Sequence, residues 1–341
     1  MVIKKPTTIK DVAREAGVSI STVSRVINDS KPVTNEVKQR VLDVIKETGY
    51  VPNPLARSLV TKKSQLIGVI VPEVTDPFAA EILNGIEEIS KMYNYDILLA
   101  NTYSEKELEK KSINLLRAKQ VEGIVMICWD LDQELVDQLD NSGIPAVYIS
   151  KTNRNFDIYN VSAQNRPAAR DMTEFLIEKG HKDIALMVTN YHISDLANER
   201  LEGYKEALEK AKIDYREELV VSSGTNYSDG YAAAKELLGK GEKLDAIFAT
   251  SDEAAVGAIN ACFDMGYKVP EDISVAGFND VKLAKIYRPK LTSVYQPLFD
   301  MGAVAIRIII KLIGGLEITE KSVALPYRIM DRESVFDRNN K

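Results

Sequence analysis

From residue 66 to residue 278 the chain repeats one unit, an apolar run of strand length followed by a segment with helical hydrophobic spacing. The runs cover 66–71, 95–100, 123–127, 145–149, 184–188, 246–249 and 273–278. Their hydrophobicity is continuous rather than alternating, the mark of strands buried on both faces, as parallel sheets require. The segments between them, such as 80–93 and 198–211, are long enough for right-handed crossover helices. The pattern predicts two doubly wound parallel-sheet lobes in tandem. Ligands bind such sheets beyond the carboxyl ends of the strands, here in a cleft supplied by 75–78, 150–153, 190–200, 251–252 and 278–280.

The first 60 or so residues follow another rule. Thr8 can cap a helix with Asp11 at N3, and Ile9, Val12, Ala13 and Ala16 recur at helical spacing before Gly17 ends it. Ser19 caps a second helix in which Val23, Val26 and Ile27 point inward while Ile20, Ser21, Ser24, Arg25 and Asn28 point away. Only Ala16-Gly17-Val18-Ser19 separates the two, the spacing of a helix-turn-helix that lays its second helix in the major groove. Arg25 is the residue of that face able to form a bidentate pair with guanine O6 and N7, worth about 1–3 kcal/mol of discrimination. Ile20 can touch a thymine methyl, and Ser21 can reach a base or a phosphate.

A third helix capped by Thr34, with Val37, Val41, Val44 and Ile45 inward and Gly49 after its end, supplies the remaining wall of a small core. A solvated helical bundle would explain any one of these helices alone; the three together favour a reading head. Beyond the extended Tyr50-Val51-Pro52, Asn53 can cap and Pro54 can open a very short helix with Leu55 and Leu59 on one face. Two turns of helix are not stable alone in water, so this one must form against DNA, a second copy of itself, or both. It is a natural order–disorder switch.

The overall charge of -6 speaks against nucleic acid until the chain is divided. Residues 1–63 hold 12 Lys+Arg against 6 Asp+Glu, which leaves 32 against 44 for the rest. A basic head therefore precedes an acidic body. Cys128 and Cys262 sit in apolar contexts and read as buried free thiols of a reducing compartment. The N-terminus lacks the apolar run of a signal peptide, and no stretch approaches the roughly 20 apolar residues of a membrane span, so a cytoplasmic protein is expected. No phosphate-cradling Gly-rich loop, Gly-x-Ser-x-Gly elbow or metal-spaced His/Cys cluster is present. With only His181 and His192, and nothing to bring Ser251, Asp252 and His181 together, neither an enzyme nor a metal or other cofactor is expected. A plain solute-binding protein would not need the basic head.

The head closely resembles the LacI/GalR family of bacterial transcription repressors. The likeness rests on Ile9-Lys10-Asp11-Val12-Ala13-Arg14-Glu15-Ala16-Gly17-Val18-Ser19, Thr22-Val23-Ser24-Arg25-Val26-Ile27-Asn28, Gly49-Tyr50 and Pro52-Asn53-Pro54-Leu55-Ala56-Arg57-Ser58-Leu59. It continues through Ile67-Gly68-Val69-Ile70-Val71-Pro72, Gly180-His181, Gly203-Tyr204, 251–257 and 289–294. Segments 86–93, 119–123, 287–289 and 296–307 resemble the catabolite control proteins of Gram-positive bacteria within that family.

The resemblance implies a DNA-binding domain over 1–52, a hinge helix and linker over 53–63, and a two-lobed, periplasmic-binding-protein-like body over 64–341. One lobe is expected at 64–161 and 292–325, the other at 162–291 and 326–341. Thr8, Ser19, Ile20, Ser21, Thr22, Arg25 and Asn28 would contact the operator from the head, and Asn53, Leu55, Ala56, Arg57 and Leu59 from the hinge. Leu55 would pair two hinge helices, and Leu59 would wedge into the minor groove at the centre of a near-palindromic site, most easily at a flexible pyrimidine–purine step. The implied protein is a homodimer.

For the input, Arg200 matches an effector-binding arginine of sugar- and purine-responsive members, with Phe78, Ser251, Asp252, Asn279 and Asp280 around it. The chain has Asn279 where many members carry an aspartate, and Gln164-Asn165 where many have Asp-Asn. Its small effector, a sugar or sugar phosphate, would be gripped differently, and Arg200 favours an anionic group. Phe299, Asp300, Arg307 and Lys311 match the docking segment for a serine-phosphorylated phosphocarrier protein, with Arg307 and Lys311 four apart on one helix face. A dimer-facing helix is the competing explanation for Met301, Val304 and Ile308, and both readings can hold on different faces.

Overall fold

The computed structural model describes residues 7–29, 31–51, 63–128, 131–149, 156–189 and 195–340. The chain divides into two compact units, Met1–Ser64 and Gln65–Lys341.

In the first unit, α1 (Ile9–Glu15), α2 (Ile20–Asn28) and α3 (Asn35–Thr48) close around Val12, Ala13, Ala16, Val23, Val26, Val41 and Val44. Local chemistry sets their ends. The Asp11 carboxylate accepts hydrogen bonds from both the backbone N–H and the hydroxyl of Thr8, which hold it below the usual carboxylate range. Gly17 at φ +64° makes the turn into α2, and Gly49 at φ +63° closes α3. Both are left-handed positions that a side chain would strain. At the far end the Thr7 hydroxyl donates to the Thr48 carbonyl and ties the start of the head to the end of α3. The hinge at 53–59 lies outside the described residues.

The second unit begins with β1 (Leu66–Val71), α4 (Pro77–Met92), β2 (Asp96–Asn101), α5 (Lys106–Ala118), β3 (Gly123–Ile127), α6 (Gln133–Ser142), β4 (Ala146–Ile149) and β5 (Tyr159–Ala163). The chain then crosses into a second lobe. That lobe runs through α7 (Asn165–Glu178), β6 (Ile184–Thr189), α8 (Asp195–Ala211), β7 (Val220–Ser223), α9 (Tyr227–Gly239), β8 (Ala246–Ala249), α10 (Asp252–Asp264), β9 (Ser274–Asn279), α11 (Lys282–Ile286) and β10 (Thr292–Tyr295). It returns for α12 (Leu298–Ile313) and β11 (Ser322–Leu325), then crosses again for β12 (Arg328–Met330).

The two sheets are wound alike. Their orders are β11-β5-β4-β3-β1-β2 and β12-β10-β9-β8-β6-β7, parallel throughout except for β10 against β12. Each order reverses once, between β1 and β3 in the first lobe and between β6 and β8 in the second. The crevices at these reversals are where a doubly wound sheet takes a ligand.

Two lobe boundaries differ from expectation, the first only slightly, since β5 keeps Ser162 and Ala163 in the first sheet beside β11. Residues 292–295 were expected in the first lobe, yet β10 pairs with β9 in the second sheet, so the crossing lies after Tyr295. Polar bonds fix it there. Within the second lobe Ser293 donates to Asp252, Thr292 Oγ1 accepts from Arg332 N, and the Thr292 N–H donates to Ser334.

Helix pairs in both lobes meet through glycine. A Cβ on Gly302 of α12 would collide with the Ile82 carbonyl of α4, and one on Gly85 with the Phe299 carbonyl. In the second lobe Gly257 of α10 lies the same way against the Tyr227 carbonyl of α9, and Gly203 of α8 against that of Arg166 in α7. Backbones this close bury apolar side chains around the contact, each worth about 1.5–3 kcal/mol relative to exposure. Among the described residues no helix is long and apolar enough to cross a membrane.

Candidate DNA-reading face, effector cleft and docking ridge

Helix α2 starts on a cluster of hydroxyls. Ser19 Oγ accepts from the Thr22 N–H at 3.2 Å and lies 2.8 Å from both Ser21 Oγ and Thr22 Oγ1. Ile20 is exposed beside them, although a helix in a small bundle gains nothing by leaving an isoleucine in water. One turn on, Arg25 is exposed and makes no ion pair among the described residues, so its guanidinium donors are available. Asn28 bonds back through Nδ2 to the Ser24 carbonyl at 2.9 Å, leaving its own oxygen as the free acceptor. Thr8 uses its hydroxyl proton on Asp11. Asn53, Leu55, Ala56, Arg57 and Leu59 lie outside the described residues.

In the second unit the cleft wall is organised by Arg200, which is 5% exposed. Its Nε and Nη2 donate to Asn165 Oδ1 at 3.1 and 3.0 Å, and Nη1 donates to the Thr250 carbonyl at 2.8 Å. The guanidinium lies 3.9 Å from the centroid of the Phe278 ring. Among the described residues no carboxylate pairs with it, and burial lowers its pKa to about 9. A buried cation held only by neutral oxygens and a ring is costly to keep charged, and an anionic or hydroxyl-rich ligand would relieve it.

The sequence marks Asn165 only as part of a departure from the family pattern and gives Gln296 no role at the cleft, and both bond into the network around Arg200. Asn165 is the first residue of α7 after the crossing from β5, and Gln296 follows β10 at the next crossing. Gln296 Nε2 donates to the same Asn165 Oδ1 at 3.3 Å. Arg200 is thus bonded to one of the three crossings between the lobes, and through the shared Asn165 oxygen it is linked to a second. The signal was a polar residue directly after an apolar run, which looks like any turn until the crossings are known.

The other expected cleft residues separate into two groups. Asn279 sits at the end of β9 with a buried Oδ1 that has no partner among the described residues. Ser251 is nearly buried, its hydroxyl donating to the Thr225 carbonyl at 2.6 Å. Asp252 and Asp280, expected as ligand contacts, face the lobe's own frame instead. Asp252 accepts from the Val281 N–H at 2.8 Å and the Ser293 hydroxyl at 2.5 Å. Burial pushes its pKa up to about 7 against these two donors. Asp280 is ion-paired to Arg332 at 2.6 Å and Lys285 at 3.5 Å. Phe78 is packed in the first lobe's core and is not an open ring of the cleft. At the rim, burial raises the pKa of Glu253 in the second lobe, and the charge of Asp76, which caps α4 in the first, raises it further.

His181 and Ser251 do not meet. His181 lies before β6, with Nδ1 3.4 Å from Asp245 and Nε2 3.0 Å from the Phe336 carbonyl, whereas Ser251 follows β8 at the other end of that parallel pair.

On α12 the expected docking residues form an exposed ridge of Phe299, Asp300, Arg307 and Lys311. Neither cation of that ridge has a carboxylate partner among the described residues. Met301 and Ile308 are buried in the first lobe's core with Val304 packed against it, which removes the reading of those three as a dimer face.

Comparison with known proteins matches this layout along the chain. Residues 8–53 match the bacterial regulatory proteins of the lacI family, and residues 173–335 match the periplasmic binding protein-like domain. The chain is 39% identical over 328 residues to the HTH-type transcriptional regulator RegA of Clostridium saccharobutylicum, spanning 96% of this chain and 99% of that one. It belongs to the LacI family of bacterial regulatory proteins. Catabolite control protein A of Priestia megaterium is 38% identical over 327 residues, covering 96% and 98%. Among solved structures, the lac repressor dimer bound to operator and an anti-inducer superposes with a TM-score of 0.89 at 26% identity, over 97% of this chain and 100% of that one. This LacI-family chain is accordingly a DNA-binding transcription regulator, and its relatives are regulators rather than enzymes.

Proposed function

We propose that the protein acts in the bacterial cytoplasm as a homodimer on a near-palindromic operator of carbon-metabolism genes, and that a serine-phosphorylated phosphocarrier protein tunes it. Ile20, Ser21 and Arg25 read each half-site, Ser19, Thr22, Thr8 and Asn28 contact the backbone nearby, and Asn53, Leu55, Ala56, Arg57 and Leu59 form the hinge and central wedge. Exposed apolar side chains in both lobes support a dimer. In the first they are Met92, Tyr93, Leu99 and Leu115, at the end of α4, on edge strand β2 and on α5. In the second they are Tyr227, Phe263 and Ile286, and Asn260 bonds to the hydroxyls of both Tyr227 and Tyr287 beside them. Surfaces of this kind are covered in the working assembly.

The observation that carries the phosphoprotein reading is the pair Arg307 and Lys311. They are exposed one turn apart, lack carboxylate partners among the described residues, and stand on a helix whose opposite face is locked to α4 at Gly302. Two free cations on a rigid helix suit a phosphate. A second reading has its own observation: Arg200 with the unpartnered Asn279 oxygen suits a sugar phosphate acting without a protein partner.

Selection of an operator from random duplexes, followed by gel shifts, tests the head. Arg25→Ala should relax preference at one base pair per half-site, about 10-fold or more. Uniform weakening across operator variants would move Arg25 to a phosphate contact. Leu59→Ala should lose specific binding and keep salt-dependent binding; unchanged operator affinity rejects the wedge.

A further inference from the structure

We propose that the turn Asn279-Asp280-Val281 carries the state of the cleft into the first lobe, and that Asp252 is the positioning residue that holds it. The proposal rests on the reading of the cleft as an effector site. The turn has an unusual backbone. Asn279 at φ +103° and Asp280 at φ +55° are consecutive non-glycine residues in the left-handed half of φ space, a strained arrangement that its surroundings must enforce.

Those surroundings are buried and specific. One carboxylate, Asp252, accepts from the Val281 N–H after the turn and from the Ser293 hydroxyl, which in turn accepts from the Asp280 N–H at 3.2 Å. The Asp280 side chain is held by Arg332 and Lys285. Gly277, two residues before Asn279, leaves room for this arrangement, since a Cβ there would strike the Asp252 carboxylate.

The turn touches both sides of the molecule. Upstream, Phe278 carries the Arg200 guanidinium on its ring, and Asn279 presents an oxygen that has no partner among the described residues. Downstream, Val281 is 3% exposed, not within its own lobe but in the first lobe's core with Phe78, Ile82, Leu298 and Met301, and Leu283 packs against that core too. A charged contact runs alongside. The Glu81 carboxyl of α4 is raised by burial and drawn back by Lys285 of α11. A group entering against Arg200 displaces Phe278 or Asn279, and a turn held at Asp280 by Ser293 and at Val281 by Asp252 passes the displacement to Val281 rather than absorbing it.

Amide hydrogen exchange on the full-length chain, read peptide by peptide, tests this without a ligand. Asp252→Ala should speed exchange about threefold or more at 279–286 and also at 77–86 across the lobes, while α6, remote from the turn, stays at wild-type rates. Asp252→Asn, which keeps an acceptor for Val281, should restore most of the protection. Should Asp252→Ala fail to fold, Ser293→Ala removes one bond of the same frame and carries the same expectation. Arg200→Gln should alter exchange at 77–86 in the wild-type background and leave it unaltered in the Ser293→Ala background. Wild-type exchange at 77–86 in Asp252→Ala or in Arg200→Gln overturns the proposal, as does equal acceleration in α6. Operator binding is read separately, so loss of the regulator reading would show in gel shifts with this exchange pattern intact.

Discussion

The two lobes share one winding and differ in what they bury. The first packs an apolar core around α4 and α12 and buries fewer polar groups, Ser90, Thr102, Asn160, Ser162 and the carboxylate of Glu109, with Arg307 and Lys311 exposed on the α12 surface. The second buries His181, Arg200, Asp252 and Asp280 together with Asn165, Thr250, Ser293, Gln296 and Ser334. Polar burial costs stability unless every group is satisfied, and it confers geometric specificity when it is. The difference fits the proposal that a small molecule is gripped chiefly from the second lobe, while the first offers a rigid frame and an external ridge.

The packing common to both lobes gives the largest expected effects. Gly302→Val in the first lobe and Gly257→Val in the second each force a side chain into a facing carbonyl, and each should cost about 3 kcal/mol or more by urea unfolding. If one is tolerated, the lobes are not built alike. Next is Asp252→Ala, which strands the buried Val281 N–H and should cost about 2–3 kcal/mol. A comparison with Asp252→Asn adds a pH signature. The wild-type carboxyl is raised from 3.8 to about 7 by burial, so between those values the native state holds a proton that the unfolded chain has released. Wild-type stability relative to Asp252→Asn should therefore fall as pH rises from about 4 to about 7 and level off above it. A flat difference across that window would mean the Val281 and Ser293 donors keep the carboxylate ionised.

The smallest effect sharpens the contrast. Arg307→Ala on the exposed ridge should change stability by no more than about 0.5 kcal/mol, since it breaks no pairing among the described residues. A larger loss would show that the ridge is structural.

How much of this was legible depended on the range of the interactions. Caps at Thr8 and Ser19 and the glycine at 49 act within four residues, and their types name their roles. The uninterrupted apolar runs located β1, β3 and β8 to the residue. Strands β5, β7 and β10 mix hydroxyls with apolar residues, and their place is set by partners far along the chain, so the residues of β10 fall in the other lobe from the one expected. The cleft shows the same limit. Arg200 was found by resemblance, but its bonds to Asn165 and Thr250 join residues 35 and 50 positions away, and the inward commitment of Asp252 and Asp280 follows from Val281, Ser293 and Arg332. No local pattern separates a carboxylate that holds a frame from one that holds a ligand.

The division of labour between the lobes meets its most direct test in a titration of the operator complex. Wild-type, Arg307→Ala and Arg200→Gln proteins would each be titrated with serine-phosphorylated phosphocarrier protein and with a panel of sugars and sugar phosphates. The phosphoprotein should raise operator affinity of the wild type and of Arg200→Gln but not of Arg307→Ala. Any sugar phosphate response should be lost only in Arg200→Gln. An operator complex that answers sugars alone, with Arg307→Ala indistinguishable from wild type, would contradict it.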